Sequence, residues 1–145
     1  MQKITPFLWY NGNVEEAVSF YTSIFKSSIV NSVNPMHAVI ELEGQKLNLF
    51  NGGPMFEFTE AISLFISCET QEEIDYYWEK LTEGGEESRC GWLKDQFGLS
   101  WQVVPSILTS LLWDKNRSKA DAVMQAMLKM RKLDIKILRE AHDNA

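Results

Sequence analysis

The residues in this chain whose types could do chemistry unaided are few: two histidines, two cysteines and one glycine-rich turn. An imidazole can accept or give up a proton near neutral pH, but His37, between Met36 and Ala38 in a strand-like run, reads as a surface or edge-strand residue rather than a base. His142 stands three residues from the last position, where exposure or disorder is expected. A reactive thiol needs an electropositive setting. Cys90 has Arg89 and Lys94 near it in sequence, but strand alternation sends neighbours to opposite faces, so a small buried or half-buried residue is the better reading. Cys68 has less to recommend it as a nucleophile, and both cysteines are expected to be reduced. Asn51-Gly52-Gly53-Pro54 follows a strand, yet no helix opens after it and Pro54 removes an N–H donor. It reads as a tight turn rather than a phosphate loop.

The elements that must hold these residues follow from periodicity and caps. Ile4 to Tyr10 reads as a strand and Asn11-Gly12 as a turn. Asn13 is the expected N-cap of a helix, with Glu16 completing a capping box and Val14, Ala17, Val18, Tyr21, Ile24 and Phe25 at helical spacing. Three short strands are expected at Ile29 to Val33, Met36 to Leu42 and Lys46 to Phe50. The order then recurs. Ala61 to Ser67 reads as a strand, and Thr70 with Glu73 starts a helix whose stripe is Ile74, Tyr77, Trp78 and Leu81. Strands follow near Glu86 to Arg89, Trp92 to Lys94 and Leu99 to Val104, while Glu83, Glu86 and Glu87 read as a solvated turn. Beyond Pro105, Ser106 to Trp113, Ser118 to Met130 and a segment capped by Asp134 read as helices, whose apolar stripes must cover the sheet or a neighbouring subunit.

The two halves superimpose as sequences. Glu16 matches Glu73 and Ile24 matches Leu81 at one offset of fifty-seven, with the caps Asn13 and Thr70 in register. At a slightly smaller offset Gly44 matches Gly98, Leu47 matches Trp101, Asn48 matches Gln102 and Leu49 matches Val103. The chain therefore reads as an α+β protein made of two tandem βαβββ units, about 1–54 and 59–105, with a C-terminal helical segment of about 106–142. Its 145 residues suit a single domain, 1–145.

Composition narrows the function classes. A net charge of -6 argues against nucleic-acid binding, which needs basic residues to neutralise phosphates. No apolar run approaches the length of a membrane span, so no membrane partner is expected. Met1 leads within a few residues into a strand-like run, so no signal peptide is expected and the implied location is cytoplasmic. Five Trp and eight Phe point first to core packing.

The stretches ITPFLWYNGNVEEAVSFY, LFNGGPMFEFTEAIS, GGEESRCGWLKDQFGLSWQVVP and VMQAMLKMRKLDI cover nearly the whole chain. In them the chain resembles the PhnB-like proteins, often labelled as a 3-demethylubiquinone methyltransferase domain, within the glyoxalase/bleomycin-resistance (vicinal oxygen chelate) superfamily. The resemblance implies a mixed sheet folded into a cup, with the metal enzymes of the superfamily holding a divalent cation through one ligand from each of four strands. Here those positions fall on Gln102, on Asn48 (or Asn51 if the register slips), near Thr5 or Pro6, and near Ala61 or Ile62. None is a histidine and neither amide is charged, so no metal and no other cofactor are expected. The segment from Ile29 to Gln45 is shorter than in relatives, which implies a more open or a smaller pocket.

The same resemblance points Gln102 into the cup, to bond either a ligand or another buried polar group. Asn48 is its counterpart, and Phe7, Trp9, Phe50 and Trp92 are the aromatics expected to line a ligand pocket, while Trp101 alternates with Gln102 and faces the helix layer. The expectation is a metal-free domain, forming a homodimer, that binds a small apolar or aromatic metabolite. The alternatives are a divalent-metal-dependent lyase, isomerase or dioxygenase with His37 drawn into the site, and a non-enzymatic sequestering or interaction dimer. A methyltransferase comes last, because no Gly-rich strand-to-helix turn for a nucleotide-type cofactor is present.

Overall fold

A computed structural model describes residues 2–145 as two compact units, one ending at Phe58 and the other running from Thr59 to Ala145. The first contains β1 (Phe7–Tyr10), α1 (Val14–Ile24), β2 (Ser28–Val33), β3 (His37–Leu42) and β4 (Gln45–Asn51). Its sheet has the order β1-β4-β3-β2, with β1 and β4 parallel and the other neighbours antiparallel. The second repeats the plan with β5 (Leu64–Cys68), α2 (Gln71–Thr82), β6 (Glu86–Glu87), β7 (Trp92–Lys94) and β8 (Ser100–Pro105), in the order β5-β8-β7-β6. It then adds α3 (Leu108–Leu112), α4 (Arg117–Leu128) and α5 (Ile135–Asp143). The α+β class and the tandem βαβββ order are those read from the sequence.

In the first unit the alternate residues Leu8, Tyr10, Ala38, Ile40, Leu42, Leu47 and Leu49 are buried, as are Val14, Ala17, Val18, Tyr21 and Ile24 of α1. Period two on the strands and period 3.6 on the helix thus meet in one core. The Tyr10 and Tyr21 hydroxyls pair within it at 2.9 Å. The start of α1 departs from expectation. Asn13 makes no side-chain cap bond. Instead the Val14 N–H donates to Asn51 Oδ1 at 3.1 Å, so the end of β4 caps the helix from 37 residues away. The Asn51 amide group also donates to the Pro35 carbonyl at 2.7 Å.

The glycines after Asn51 have a packing role. A Cβ on Gly52 would stand 2.1 Å from the Trp9 ring, and Trp9 Nε1 donates to the Gly53 carbonyl at 3.0 Å. The tight turn is therefore a seat for an indole. Between β2 and β3 the chain makes a direct hairpin, with the Asn34 carboxamide accepting the Met36 and His37 N–H groups at 2.8 and 3.0 Å.

In the second unit α2 is capped as expected. Thr70 Oγ1 accepts the Glu73 N–H at 3.2 Å, and the Glu73 carboxylate accepts the Glu69 N–H at 3.0 Å. β5 starts at Leu64 rather than at Ala61. Asp95, only 2 % exposed, is fully used by the turn after β7. It accepts the Phe97 and Leu99 N–H groups at 2.9 and 3.1 Å and the Trp101 indole N–H at 2.9 Å. Trp101 is buried, on the opposite side of β8 from Gln102.

The C-terminal helices pack on their own unit. Val104, Leu108, Val123, Leu133 and Leu138 form a buried cluster, and Asn116 and Asp134 cap α4 and α5. Gln71 ties this segment to α2, donating to the Leu133 carbonyl at 3.0 Å and accepting the Ile135 N–H at 2.8 Å. No described helix is long and apolar enough to cross a membrane.

Candidate functional site

The sheet residues that alternate with the core of the first unit form a face of another character. Phe7 pairs with Asn48, Val39 with Asn48, and both Trp9 and His37 with Phe50 across the register. Phe7 is 59 % exposed, and Trp9, His37, Val39, Asn48 and Phe50 are half-buried. Phe7 and Phe50 lie 5.6 Å apart, and Trp9 meets Phe50 and Phe56 edge-on at 5.4 and 5.0 Å. Asn48 is the polar centre of this apolar surface. Its Nδ2 donates to Thr5 Oγ1 at 2.9 Å and its Oδ1 meets His37 Nε2 at 3.0 Å.

His37 is therefore not an edge-strand residue, and it is half-buried. β3 lies between β4 and β2, and the imidazole stacks on Phe7 with centroids 6.1 Å apart and ring planes 18° from parallel.

The second unit repeats the motif. Phe65 and Trp92 both pair with Gln102, whose Nε2 donates to Ser63 Oγ at 3.0 Å. Phe65 is 57 % exposed, and Ser63, Trp92 and Gln102 are half-buried. By register Phe65 corresponds to Phe7 and Ser63 to Thr5. Ser63 is the partner that sequence comparison misplaced at Ala61 or Ile62. The helix offset of fifty-seven runs one residue short on this strand, because the segment joining strand to helix differs in length between units. Beside Gln102's sheet the Lys94 ammonium bonds Glu60 at 3.0 Å. That pairing holds the Glu60 carboxyl below its ordinary range and raises Lys94.

The remaining candidates are placed elsewhere. Cys68 is buried, and burial, with Glu73 and Glu69 adding to it, pushes its thiol up to about 12. Cys90 is half-buried in a left-handed backbone conformation, with its thiol directed to the Met127 carbonyl at 3.6 Å. His142 is half-buried against Asp114, with Nε2 2.7 Å from the carboxylate, where exposure was expected. The Asn116 N–H first and the His142 ring second hold Asp114 below the usual carboxylate range.

The donor set does not suit a divalent cation. Asn48 and Gln102 turn N–H groups toward the hydroxyls of Thr5 and Ser63, and neither pair includes a carboxylate. Among the described residues no group of three or more His, Cys, Asp or Glu is placed to hold a metal.

Comparison with known proteins bears on the two repeated units. The family model described as 3-demethylubiquinone-9 3-methyltransferase matches residues 2–104. Among solved structures, a putative 3-demethylubiquinone-9 3-methyltransferase, PhnB protein, from Bacillus cereus is 36% identical, with a TM-score of 0.67 over 71% of this chain and 99% of its own. A protein from Pseudomonas aeruginosa is 22% identical, with a TM-score of 0.60 over 72% and 98%. The fosfomycin resistance protein of Listeria monocytogenes, solved with Mn(II) and sulfate, is 14% identical with a TM-score of 0.55 over 72% and 90%, a likeness of fold alone. No protein of curated function matches the chain.

Proposed function

The chain belongs to the family described as 3-demethylubiquinone-9 3-methyltransferase, within the glyoxalase-like fold, and from that premise we propose that it binds a small apolar or aromatic metabolite without a bound metal. The observation that carries this reading is the amide–hydroxyl pair set in aromatic surroundings: Asn48 with Thr5 beneath Phe7 and Phe50, and Gln102 with Ser63 beside Phe65 and Trp92. Apolar walls with a few fixed polar groups are the usual composition of a small-molecule site. Each amide keeps hydrogen-bonding capacity beyond the bond it makes to its hydroxyl, enough to meet a ligand's carbonyl or hydroxyl.

The methyl-transfer activity named in the family description has less support. The turn from β1 to α1 carries one glycine, Gly12, and each sheet contains a single parallel pair. Nucleotide-type cofactors favour a Gly-rich turn in a parallel sheet.

A homodimer is part of the same proposal. It is supported by the edge strand β2, which carries no charge and exposes Ile29, Val30 and Val33. Long apolar edges of this kind are normally covered.

Elemental analysis of protein purified without nickel, followed by thermal shifts with Zn, Mn, Ni, Fe(II), Mg and S-adenosylmethionine, tests the reading. It predicts no stoichiometric metal and no shift. Near one equivalent of metal per chain would replace it with a metalloenzyme, and a saturable S-adenosylmethionine shift with a methyltransferase.

A further inference from the structure

The chain of bonds from Thr5 through Asn48 fixes the state of a ring that the binding reading does not yet use. Asn48 commits its Nδ2 to Thr5 Oγ1, so Oδ1 is the atom that faces His37 Nε2. A carbonyl oxygen only accepts, so Nε2 carries the proton, and in the neutral ring Nδ1 is then a bare acceptor. No described residue hydrogen-bonds Nδ1. The imidazole is held in place by its stack on Phe7 and by the position of β3 inside the sheet. Phe7 beside it is largely open to solvent.

We propose that His37 Nδ1 is a hydrogen-bond acceptor for the ligand, so that this face selects planar molecules carrying a hydroxyl or N–H donor, a phenol or an enol, over hydrocarbons and ethers of the same size. Phe7 and Phe50 take the ligand's flat apolar part, and the imidazole takes its donor. Asn48 acts here as a positioning residue: it sets the tautomer through Nε2. The inference rests on the binding reading above and adds to it the chemistry of one polar group.

The test uses the full chain with its histidines labelled with nitrogen-15, at a pH where the ring spectrum shows His37 neutral. The long-range proton–nitrogen spectrum is expected to show the Nε2–H tautomer, and Asn48→Leu to lose that single-tautomer pattern. Phenol, anisole and toluene are then titrated in turn. Phenol is expected to shift Nδ1 and to bind roughly three- to tenfold more tightly than the other two, the span of one net hydrogen bond. His37→Phe, which keeps a flat ring against Phe7, is expected to erase that preference. An Nδ1–H tautomer, or equal binding of phenol and anisole, overturns the inference and leaves the apolar site standing. Failure of all three probes to perturb this face overturns the binding reading itself. The tautomer and the probe series on the unmodified protein decide the matter even where His37→Phe does not fold.

Discussion

Gln102 Nε2 lies 3.0 Å from Ser63 Oγ, and in the other unit Asn48 Nδ2 lies 2.9 Å from Thr5 Oγ1. Each bond joins the inner strand of a parallel pair to a residue shortly ahead of the edge strand beside it, Ser63 next to β5 and Thr5 one residue further from β1. Both units set an amide against a hydroxyl at corresponding register positions, Asn48 opposite Phe7 and Gln102 opposite Phe65.

The cap of α1 separates two asparagines that look alike in the sequence. Asn51→Ala removes the acceptor for the Val14 N–H and the donor to Pro35, and is expected to cost about 1–2 kcal/mol of stability. Asn13→Ala removes no cap bond and is expected to cost clearly less. Urea midpoints of the two variants check the order.

Asp95→Asn tests the buried turn. It keeps one carbonyl oxygen for the Phe97 and Leu99 N–H groups but sets an amide N–H against the Trp101 indole N–H, whose acceptor was Oδ2. Leaving buried donors unsatisfied is expected to cost about 2–3 kcal/mol, read from chemical denaturation and from the Trp101 fluorescence.

Cys68 is expected to resist alkylation in the folded protein. Burial pushes its thiol up to about 12 from the ordinary 9.0, so it stays protonated in mild alkali. A group raised on folding contributes stability that is intact below the unfolded value and is lost as pH rises toward the folded one. Iodoacetamide labelling at pH 8.5 followed by peptide mapping should leave Cys68 unmodified until denaturant is added.

Asp75 gives an acid-side prediction. The Lys132 ammonium 2.8 Å away, and Gln71 after it, lower its carboxyl from the ordinary 3.8. A carboxylate lowered on folding stabilises the protein above the unfolded value, and that contribution is lost as pH falls below 3.8 through the folded one. Asp75→Asn should therefore shallow the acid limb of the stability–pH curve and leave its neutral region nearly level, as an exposed pair implies.

Much of this was legible in the chain itself, because the signals were local. Thr70 and Glu73 announce α2, Asp134 announces α5, and alternation separates Trp101 from Gln102. The rest depends on contacts between residues far apart in sequence. Asn13 has the composition of a cap, yet the cap is Asn51, brought to α1 by the pairing of β4 with β1. Asp95, in the turn after β7, drew no notice as a sequence, and its burial goes with the bond it accepts from the Trp101 indole. His142, close to the last residue, is held by Asp114 across two helices. Ser63 was hidden by a one-residue difference between repeats. His37 could be placed on a strand, but its bond to Asn48 depends on the β3–β4 register, which no short motif encodes.

The central claim is that the two amide–hydroxyl pairs and their aromatic neighbours bind small apolar molecules without a metal. The most direct measurement follows the side-chain amide resonances of Asn48 and Gln102 while aromatic fragments are added to chelator-treated protein. The account predicts saturable shifts at these amides in the absence of metal, and weaker fragment affinity in Asn48→Leu and Gln102→Leu. Amides that stay silent to every fragment until Mn(II) is supplied would contradict it.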